Sequence, residues 1–395
     1  MALAVSACDM PLRSMNQMGH NDFLVLDSHL DTPLVLDRAG FDITRRHDWQ
    51  KDYAQVDLPR MQEGGLDGGF WVIYTAQGAL TERGYAKALA HARHRNQVID
   101  EMLRGHGPDF EFASRAEDAP RIAATGKRIV YKSIENAYPL GENIDLLDEF
   151  YAAGVRMVGL VHSKNNQFAD SATDLQGQKW GGLSPLGRQL IRRANRLGMI
   201  VDMSHAHDDA LAQAIELSAT PIILSHSGAA FLHKHPRNVP DDLLKKLARS
   251  GGVIQINSLS AYLRDSRADP KRLPEFLAIY RKYQNAPGGM RENHKAFIEE
   301  RRALDKKYPP DYAEFSDVMA HIFHTLELMG ADHVGIGLDW DGGGGVNGLQ
   351  DVSDLPRITE ALRDKSISSE TIGKIWSGNM LRLLRQAEET RDMGK

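Results

Sequence analysis

The fold of this chain is first indicated by the stretch Phe23-Leu-Val-Leu-Asp-Ser-His-Leu-Asp31. Its apolar start is typical of a short buried strand, and a histidine and an aspartate two residues apart follow at once. Alternate residues of an extended chain point the same way, so the side chains of His29 and Asp31 can face one ion. A second His-x-Asp pair, His20 and Asp22, precedes the same run and has to be distinguished from the first.

The composition is that of a globular protein of ordinary charge. The chain has 395 residues, of which 42% are hydrophobic and 26% are charged, and its formal net charge is −5. Nucleic acid is not an expected partner, because Lys and Arg are scattered among Asp and Glu and form no basic stripe. No apolar run is long enough for a transmembrane segment. The single cysteine, Cys8, excludes an intrachain disulfide framework and a thiolate metal cluster.

The extreme N-terminus contains a short motif that is relevant to the cellular location of the protein. Val5-Ser-Ala-Cys8 resembles the end of a bacterial lipoprotein signal, whose cysteine is lipidated after cleavage. No basic residue precedes it, and the apolar run is short for a signal core. We therefore expect an accidental match and a cytoplasmic protein, and the alternative is a periplasmic protein or one anchored by a lipid on Cys8. Residues 1–22 are predicted to be an N-terminal extension.

Short β-prone runs alternate with amphipathic helical stretches along the rest of the chain. The helical stretches, such as 186–197 and 241–248, place apolar residues at spacings of three and four. Eight such runs span residues 23–27, 69–74, 128–133, 155–161, 199–203, 221–225, 252–256 and 333–337. Eight strands with helices between them predict an α/β fold, a (β/α)8 TIM-type barrel, as a single domain over 23–395. A doubly wound sheet is the alternative fold.

One connection is too long for a simple β-α unit. The segment from about 258 to 316 lies between the seventh and eighth runs and is dense in charge. Stretches such as 290–307 are typical of solvated helices, so we predict a helical insertion on the barrel rim. The alternative is a lid or a dimer surface over the site.

Functional groups of such barrels stand at the C-terminal ends of the strands, where the loops form the mouth. This criterion selects His29 and Asp31, which follow the first run, over His20 and Asp22, which precede it. Five further polar residues end or follow later runs, namely Glu135, His162, His205, His226 and Asp339.

Each of these residues alone is better explained as a helix cap or a turn residue. Their convergence on one face favours a site. Imidazoles with carboxylates suit Zn²⁺ or a similar divalent ion, and the lack of thiolates disfavours a closed structural zinc site. Three histidines and two carboxylates are enough for two metals that share a bridging carboxylate. Two such metals can polarise a carbonyl and generate hydroxide near neutral pH, so the set indicates hydrolysis.

Several sequence blocks resemble those of the renal (membrane) dipeptidase family, a branch of the metal-dependent amidohydrolase superfamily. The blocks occur in the family's order between Leu26 and about Leu384. They are Leu26-Asp-Ser-His-Leu-Asp-Thr-Pro, Gly154-Val-Arg-Met-Val-Gly-Leu-Val-His-Ser, Val201-Asp-Met-Ser-His-Ala, Pro221-Ile-Ile-Leu-Ser-His-Ser, His235-Pro-Arg-Asn-Val-Pro-Asp, Asp332-His-Val-Gly-Ile-Gly-Leu-Asp-Trp-Asp and Ser377-Gly-Asn-Met-Leu-Arg.

The resemblance implies a zinc-dependent dipeptidase with two Zn²⁺ ions per chain, in which a hydroxide that bridges the metals attacks the peptide bond of a dipeptide. It implies that His29, Asp31 and Glu135 bind one zinc. Glu135 would bridge to a second zinc, which His205 and His226 hold. Relatives are commonly dimers, so a homodimer is expected.

The resemblance also implies roles for three residues outside the ligand set. His162 would stabilise the oxyanion of the tetrahedral intermediate, and Arg237 would clamp the C-terminal carboxylate of the substrate. Asp339 would contact the free amino group and pass a proton to the leaving amine. Asp341 is the alternative to Asp339, which we prefer because it is nearer the strand end. A carboxylate anchor and an ammonium anchor would select dipeptides, with L-Xaa-D-Xaa dipeptides as one substrate class.

Two other functions stay open. Other branches of the superfamily open cyclic amides or deaminate small molecules, and such substrates need no terminal carboxylate and therefore no Arg237. A dipeptidase-like barrel can also serve as a peptide-binding or maturation factor without hydrolysis, although the complete ligand set favours hydrolysis. One departure from the family stands beside the bridging residue. Many relatives have a glycine where this chain has Asn136, so we expect an altered backbone or pocket there.

Overall fold

The computed structural model describes residues 18–393, so the lipid anchor considered for Cys8 lies outside the described residues. The strands are β1 (Leu26–Leu30), β2 (Gly68–Tyr74), β3 (Phe110–Phe112), β4 (Arg128–Glu135), β5 (Val155–Gly159), β6 (Ile200–Asp202), β7 (Ile223–Ala229), β8 (Asn238–Val239), β9 (Val253–Ile256) and β10 (Val334–Ile336).

The first helices are α1 (Thr32–Leu36), α2 (Trp49–Asp52), α3 (Leu58–Glu63), α4 (Glu82–Gly105), α5 (Asp118–Ala123), α6 (Leu146–Ala152), α7 (Pro185–Leu197) and α8 (Asp208–Leu217). The later helices are α9 (Asp241–Arg249), α10 (Ser260–Leu263), α11 (Arg272–Gln284), α12 (Gly289–Lys307), α13 (Phe315–Met329), α14 (Pro356–Asp364), α15 (Ser369–Gly373) and α16 (Asn379–Met393). Short 3₁₀ helices cover His20–Asp22, Tyr138–Leu140, Ala331–His333 and Val352–Asp354, and a short π-helix covers Lys374–Gly378. Within 18–393, no helix combines the length and the apolar character that a membrane span requires.

Eight of the strands form a nearly closed parallel barrel in the order β1-β2-β4-β5-β6-β7-β9-β10. The barrel closes through a parallel bridge between Leu30 and Trp340, and the Asp31 N–H donates to the Trp340 carbonyl at 2.9 Å. β3 pairs with β4 and β8 pairs with β7, both off the barrel path. The predicted (β/α)8 TIM-type barrel is confirmed, and the doubly wound alternative is wrong.

Two predicted strands are displaced toward the mouth. The run predicted at 23–27 is observed as β1 at Leu26–Leu30, and the run at 221–225 is observed as β7 at Ile223–Ala229. Pairing sets these bounds, because Leu26 lies opposite Gly68 of β2 and Ile223 lies opposite Val253 of β9. His29 therefore lies inside β1 near its C-terminal end, and His226 lies at the middle of β7.

The barrel strands are apolar because helices cover them on the outside. In β2, Phe70, Trp71, Val72 and Ile73 are all fully buried, as is usual for parallel strands that have neighbours on both faces. The outer helices show clear start and stop signals. The Ser184 hydroxyl accepts from the Gly187 N–H at 2.9 Å at the start of α7, which carries a proline in its first turn.

The insertion between β9 and β10 is helical, as predicted. Helices α11 and α12 pack together through aromatic contacts, with Tyr283 and Phe297 ring centroids 6.1 Å apart. Helix α12 also contacts the connection between β1 and β2, at the residue that follows α2. The Tyr53 hydroxyl donates to Asp305 at 2.6 Å, and the Arg301 guanidinium lies 3.6 Å from the Tyr53 ring centroid. The boundary at residue 22 between extension and domain stays a prediction.

Candidate active site

The five predicted metal ligands meet at the mouth of the barrel. His29 lies in β1 with Asp31 just beyond it, Glu135 ends β4, His226 lies in β7, and His205 follows β6. All five are buried, and none exposes more than 7% of its surface. The C-terminal ends of different strands thus bring together residues that are far apart in the chain.

Glu135 stands at the centre of this cluster and faces two groups of ligands. Its Oε2 atom lies 3.6 Å from His29 Nε2, and His29 Nε2 lies 3.8 Å from Asp31 Oδ2. Its Oε1 atom lies 2.9 Å from His205 Nε2 and 3.5 Å from His226 Nε2. One carboxylate therefore connects an imidazole-carboxylate pair with a pair of imidazoles.

The ligand atoms are arranged to receive a cation. His29 Nε2 and Asp31 Oδ1 are buried and have no hydrogen-bond partner within the described part of the chain. His205 Nε2 and His226 Nε2 face each other at 2.8 Å. A buried polar atom without a partner costs about 1–3 kcal/mol, so these atoms are better explained as metal ligands. Imidazole nitrogens with carboxylate oxygens are the donors that zinc and similar ions take, and the residues fit a divalent metal centre.

The electrostatics of the cluster favour an added positive charge. Burial raises the pKa of Asp31 well above its ordinary value, and the Glu135 carboxylate adds to this rise. Burial would lower the pKa of His29, but the carboxylates of Glu135 and Asp31 raise it to about 10. Burial would raise the pKa of Glu135, but His162 and His29 hold it well below its usual range. The carboxylates thus attract a proton onto His29, and a metal cation would supply the same charge.

Two residues that the sequence did not single out orient the histidines. The Ser225 hydroxyl donates to Asp202 Oδ2 at 2.6 Å and lies 2.9 Å from His226 Nδ1 and 3.3 Å from His29 Nδ1. Asp202 is buried in β6, and its other oxygen accepts from the Ser204 N–H at 3.0 Å. Such second partners fix the orientation of a metal-binding imidazole. The only available signal was adjacency, because Ser225 directly precedes His226.

His162 lies on the open side of the cluster. Its Nε2 is 3.6 Å from Glu135 Oε1, and its ring centroid is 4.0 Å from that of His205. Burial lowers the pKa of His162, and Arg237 adds to this effect against the opposing Glu135 carboxylate. Tyr74, at the end of β2, also packs against the His162 ring, with centroids 4.9 Å apart. A neutral imidazole here can donate a hydrogen bond toward the mouth.

Arg237 is buried and is held by two backbone carbonyls, one in β7 and one just beyond β6. One terminal nitrogen donates to the Ser204 carbonyl, and the other donates to the His226 carbonyl at 2.8 Å. Its Nε has no partner among residues 18–393, and the guanidinium carbon lies 5.3 Å from the Tyr262 ring centroid. The result is a rigid cation beside the ligand cluster, with donors left for an anion. Tyr262 was not predicted, because it comes from the insertion.

The geometry favours Asp339 over its neighbour Asp341 as a site residue. Carboxylate oxygens of Asp339 and Asp31 and a His29 nitrogen lie within 4.8 Å of one another. Asp341 instead accepts from the Gln55 N–H at 2.7 Å and from the Thr32 hydroxyl at 2.9 Å. Burial raises the pKa of Asp339 to about 6, and the Glu135 carboxylate adds to this against the opposing His29.

The other His-x-Asp pair has structural partners. His20 Nδ1 lies 2.7 Å from the Thr359 hydroxyl, and His20 Nε2 lies 2.9 Å from the Gly64 carbonyl. The Asp22 carboxylate accepts from the Gly19 N–H at 2.6 Å. This pair precedes β1 and takes no part in the ligand cluster, in agreement with the strand-end criterion.

Comparison with known proteins assigns the family. Residues 14–394 match the family described as membrane dipeptidase, peptidase family M19. The chain belongs to the M19 family. The family resemblance found in the sequence blocks is confirmed, and as an M19 member the chain is a metallodipeptidase.

Among M19 relatives, the dipeptidase tcpJ of Claviceps purpurea is 32% identical over 381 residues, which cover 94% of this chain and 77% of that protein. The probable dipeptidase PvdM from Pseudomonas aeruginosa has a solved structure with a TM-score of 0.79 and 30% identity, covering 94% of this chain and 97% of that one. A metallopeptidase from Rhodobacter sphaeroides, solved with a phosphinate mimic of the dipeptide L-Ala-D-Ala, shares the fold with a TM-score of 0.72 and 24% identity, covering 92% and 99% of the two chains.

Proposed function

We propose that this M19 protein hydrolyses dipeptides at a centre of two zinc ions. The observation that carries the proposal is the position of Glu135, whose Oε2 faces His29 at 3.6 Å and whose Oε1 faces His205 at 2.9 Å. A carboxylate so placed can serve two ions. His29 and Asp31 would complete one ion's ligands, and His205 and His226 those of the other.

The metals and His162 would both act on the peptide carbonyl, the metals by polarising it and His162 by stabilising the charge that develops on its oxygen. When bound, the ions would act as Lewis acids toward the carbonyl and would lower the pKa of water. His162 lies 3.6 Å from Glu135 Oε1 on the open side, where its N–H can point at the carbonyl oxygen. A donor aimed at the charge that develops in the transition state is worth several kcal/mol, roughly 3–4 for one oxyanion-hole donor.

Arg237 would bind the C-terminal carboxylate of the substrate. Backbone carbonyls of Ser204 and His226 hold its guanidinium in place, so little side-chain freedom is lost when an anion binds. The planar group presents paired donors that match a carboxylate. This anchor argues against cyclic amides and other substrates that carry no terminal carboxylate.

Asp339 would bind the substrate's ammonium group and pass a proton to the leaving amine. It lies beside His29 and Asp31, and the positive charge of Arg237 acts to lower its pKa against the effect of burial. Arg237 and Asp339 would then select substrates by length. A longer peptide would leave one of its terminal charges unpaired in a mostly buried site.

The side-chain and chirality preferences form a finer part of the proposal. We propose that L-Xaa-D-Xaa dipeptides are among the substrates, a class for which the bound L-Ala-D-Ala mimic of the Rhodobacter sphaeroides enzyme offers a precedent. The homodimer and the cytoplasmic location stay predictions. Sedimentation of the purified chain and fractionation of its host cells would test them.

The proposal is tested by metal titration combined with a substrate panel. Chelated protein is titrated with Zn²⁺ and assayed with L,L and L,D dipeptides, a dipeptide amide, an N-acetyl dipeptide, a tripeptide and a cyclic amide. We expect two zinc equivalents, cleavage of free dipeptides, and about 100-fold slower cleavage of the blocked forms. His205→Ala should lose activity, whereas His207→Ala, a partly exposed histidine outside the cluster, is the matched control. Preferential turnover of the cyclic amide, or a single zinc equivalent at full activity, would contradict the proposal.

A further inference from the structure

Asn136, the residue that follows Glu135, has an unusual backbone conformation for its type. Its φ is 70°, in the left-handed region, and it is fully buried. Asparagine tolerates this region better than most residues, but glycine adopts it at no steric cost. An asparagine here therefore needs a reason that lies in its side chain.

The Asn136 amide belongs to a hydrogen-bond network at the ends of three barrel strands. Its Nδ2 donates to the carbonyl of Thr75, the residue after β2, at 2.9 Å. Its Oδ1 accepts from the Tyr138 N–H at 3.2 Å and from Asn166 Nδ2 at 3.0 Å. Asn166 Nδ2 also donates to the carbonyl of Leu160, just beyond β5, at 2.8 Å. The Asn136 side chain thus connects the ends of β2 and β4 directly, and that of β5 through Asn166.

Each of these strand ends carries a residue of the mouth. Tyr74 precedes Thr75, Glu135 precedes Asn136, and His162 follows Leu160 by two residues. His162 Nε2 lies 3.6 Å from Glu135 Oε1, and its ring packs on Tyr74 at 4.9 Å. Relative movement of these strand ends would change both distances, although neither involves Asn136 directly.

We propose that Asn136 is a positioning residue, whose amide fixes the spacing between the Glu135 carboxylate and the His162 imidazole. A glycine would keep the backbone conformation but would leave the Thr75 carbonyl and the Asn166 amide without this partner. Its loss should therefore affect metal binding and the chemical step. It should leave the grip of Arg237 and Asp339 on the substrate's ends largely intact. The activity part of this inference rests on the proposed dipeptidase function, whereas the metal-binding part does not.

The test is Asn136→Gly, with Ser366→Gly as the matched control. Ser366 has a φ of 58° in an exposed turn after α14, so this control removes a side chain from the same backbone region far from the mouth. For Asn136→Gly we expect a zinc dissociation constant raised about 10-fold by competition with a chelator, at the lower end of the effect of losing a direct partner of a metal ligand, because Asn136 acts on Glu135 only through the backbone. The kcat for a dipeptide should fall by a similar factor, with KM changed less than about threefold.

A second variant covers the case in which Asn136→Gly does not fold. Asn136→Asp keeps the acceptor for Tyr138 and Asn166, and with its carboxyl ionised, in assays at pH 8, it cannot donate to Thr75. It should then give losses intermediate between those of the wild type and of the glycine variant. Wild-type zinc affinity and kcat in a folded Asn136→Gly, or in Asn136→Asp, would overturn the inference. So would a lowered Tm with both quantities unchanged. A wild type that binds zinc but cleaves no dipeptide would instead contradict the proposed function, and the zinc affinities would still decide the role of Asn136.

Discussion

The Ser225 hydroxyl donates a 2.6 Å hydrogen bond to the carboxylate of Asp202. The same oxygen lies 2.9 Å from Nδ1 of His226, so the carboxylate, the hydroxyl and the imidazole form a chain that ends at the ligand cluster. We expect Ser225→Ala to lower zinc affinity about 10-fold, because His226 would lose the partner that orients its ring. Chelator competition measures this. The control is Ser218→Ala, which removes a half-buried hydroxyl after α8 that is hydrogen-bonded to Asn195 and not to the ligand cluster. An unchanged affinity would mean that the strand alone orients His226.

Arg237 should govern recognition of the substrate's carboxylate. We expect Arg237→Lys to lower kcat/KM for a free dipeptide about 10- to 100-fold, because an ammonium cannot reproduce the paired donors. With a dipeptide amide, which has no carboxylate, the variant and the wild type should differ much less. Zinc content must be measured alongside, since Arg237 also holds the His226 carbonyl. An equal loss on both substrates with full zinc content would contradict the assignment.

Asp339 and Asp341 form a natural comparison, because both have positive φ values, of 64° and 65°. Asparagine tolerates this conformation, so Asp→Asn replacements alter charge with little backbone strain. Asp339→Asn should lower kcat at least 100-fold with zinc retained, because the proton carrier is lost. Asp341→Asn should mainly lower Tm, since its carboxylate accepts from Gln55 and Thr32. The reverse result in a paired assay of kcat and Tm would exchange the two roles.

The insertion should influence the choice of substrate side chain. Burial raises the pKa of Tyr280 in α11 against the opposing Arg95, and the Asp31 carboxylate adds to this rise, so this phenol lies within range of the charge of a proposed ligand. We expect Tyr280→Ala to raise KM about 10-fold for dipeptides with a bulky N-terminal residue, through loss of apolar contact worth about 1.4 kcal/mol, and to leave glycyl dipeptides nearly unchanged. Tyr280→Phe should behave like the wild type. If the alanine variant kept the wild-type preference between bulky and glycyl dipeptides, Tyr280 and the insertion would have no contact with the substrate.

His321 should make the folded protein sensitive to acid. Burial lowers the pKa of His321 to about 4 from an ordinary 6.5, and its Nδ1 accepts from the Ala229 N–H at 3.0 Å. Between pH 6.5 and 4 the unfolded chain therefore binds a proton that the folded chain does not. The free energy of unfolding therefore decreases as the pH is lowered from 6.5 to 4, by up to about 1.4 kcal/mol per pH unit from this group. His321→Asn should reduce that slope in urea unfolding measured from pH 6.5 to 4.5. A slope equal to that of the wild type would show that other groups cause it.

Strand ends were predictable from the sequence because the mouth of a parallel barrel is built there. The selection of His29 over His20 needed only the order of a β-prone run and a polar pair. The bounds of β1 were less accessible, because its pairing with β2 carries the strand three residues beyond the predicted end at Asp27.

The partners that orient the ligands could not be predicted in the same way. Asp202 and Ser225 are separated by 23 residues and meet through a hydroxyl, with no spacing rule that relates them. Tyr262 reaches Arg237 from an insertion whose path the sequence left open. Asn136 stood out only as a departure from the family's glycine, and its contacts with Thr75 and Asn166 needed the structure.

The closure of the barrel between Leu30 and Trp340 has a consequence for biosynthesis. All five proposed ligands lie at or before His226, whereas the strand that completes the ring, β10, begins only at Val334. During translation, all five proposed ligands therefore leave the ribosome well before the bridge between Leu30 and Trp340 can form and bring Asp31 close to Asp339. We therefore expect metal loading that yields a competent enzyme only when translation has nearly ended.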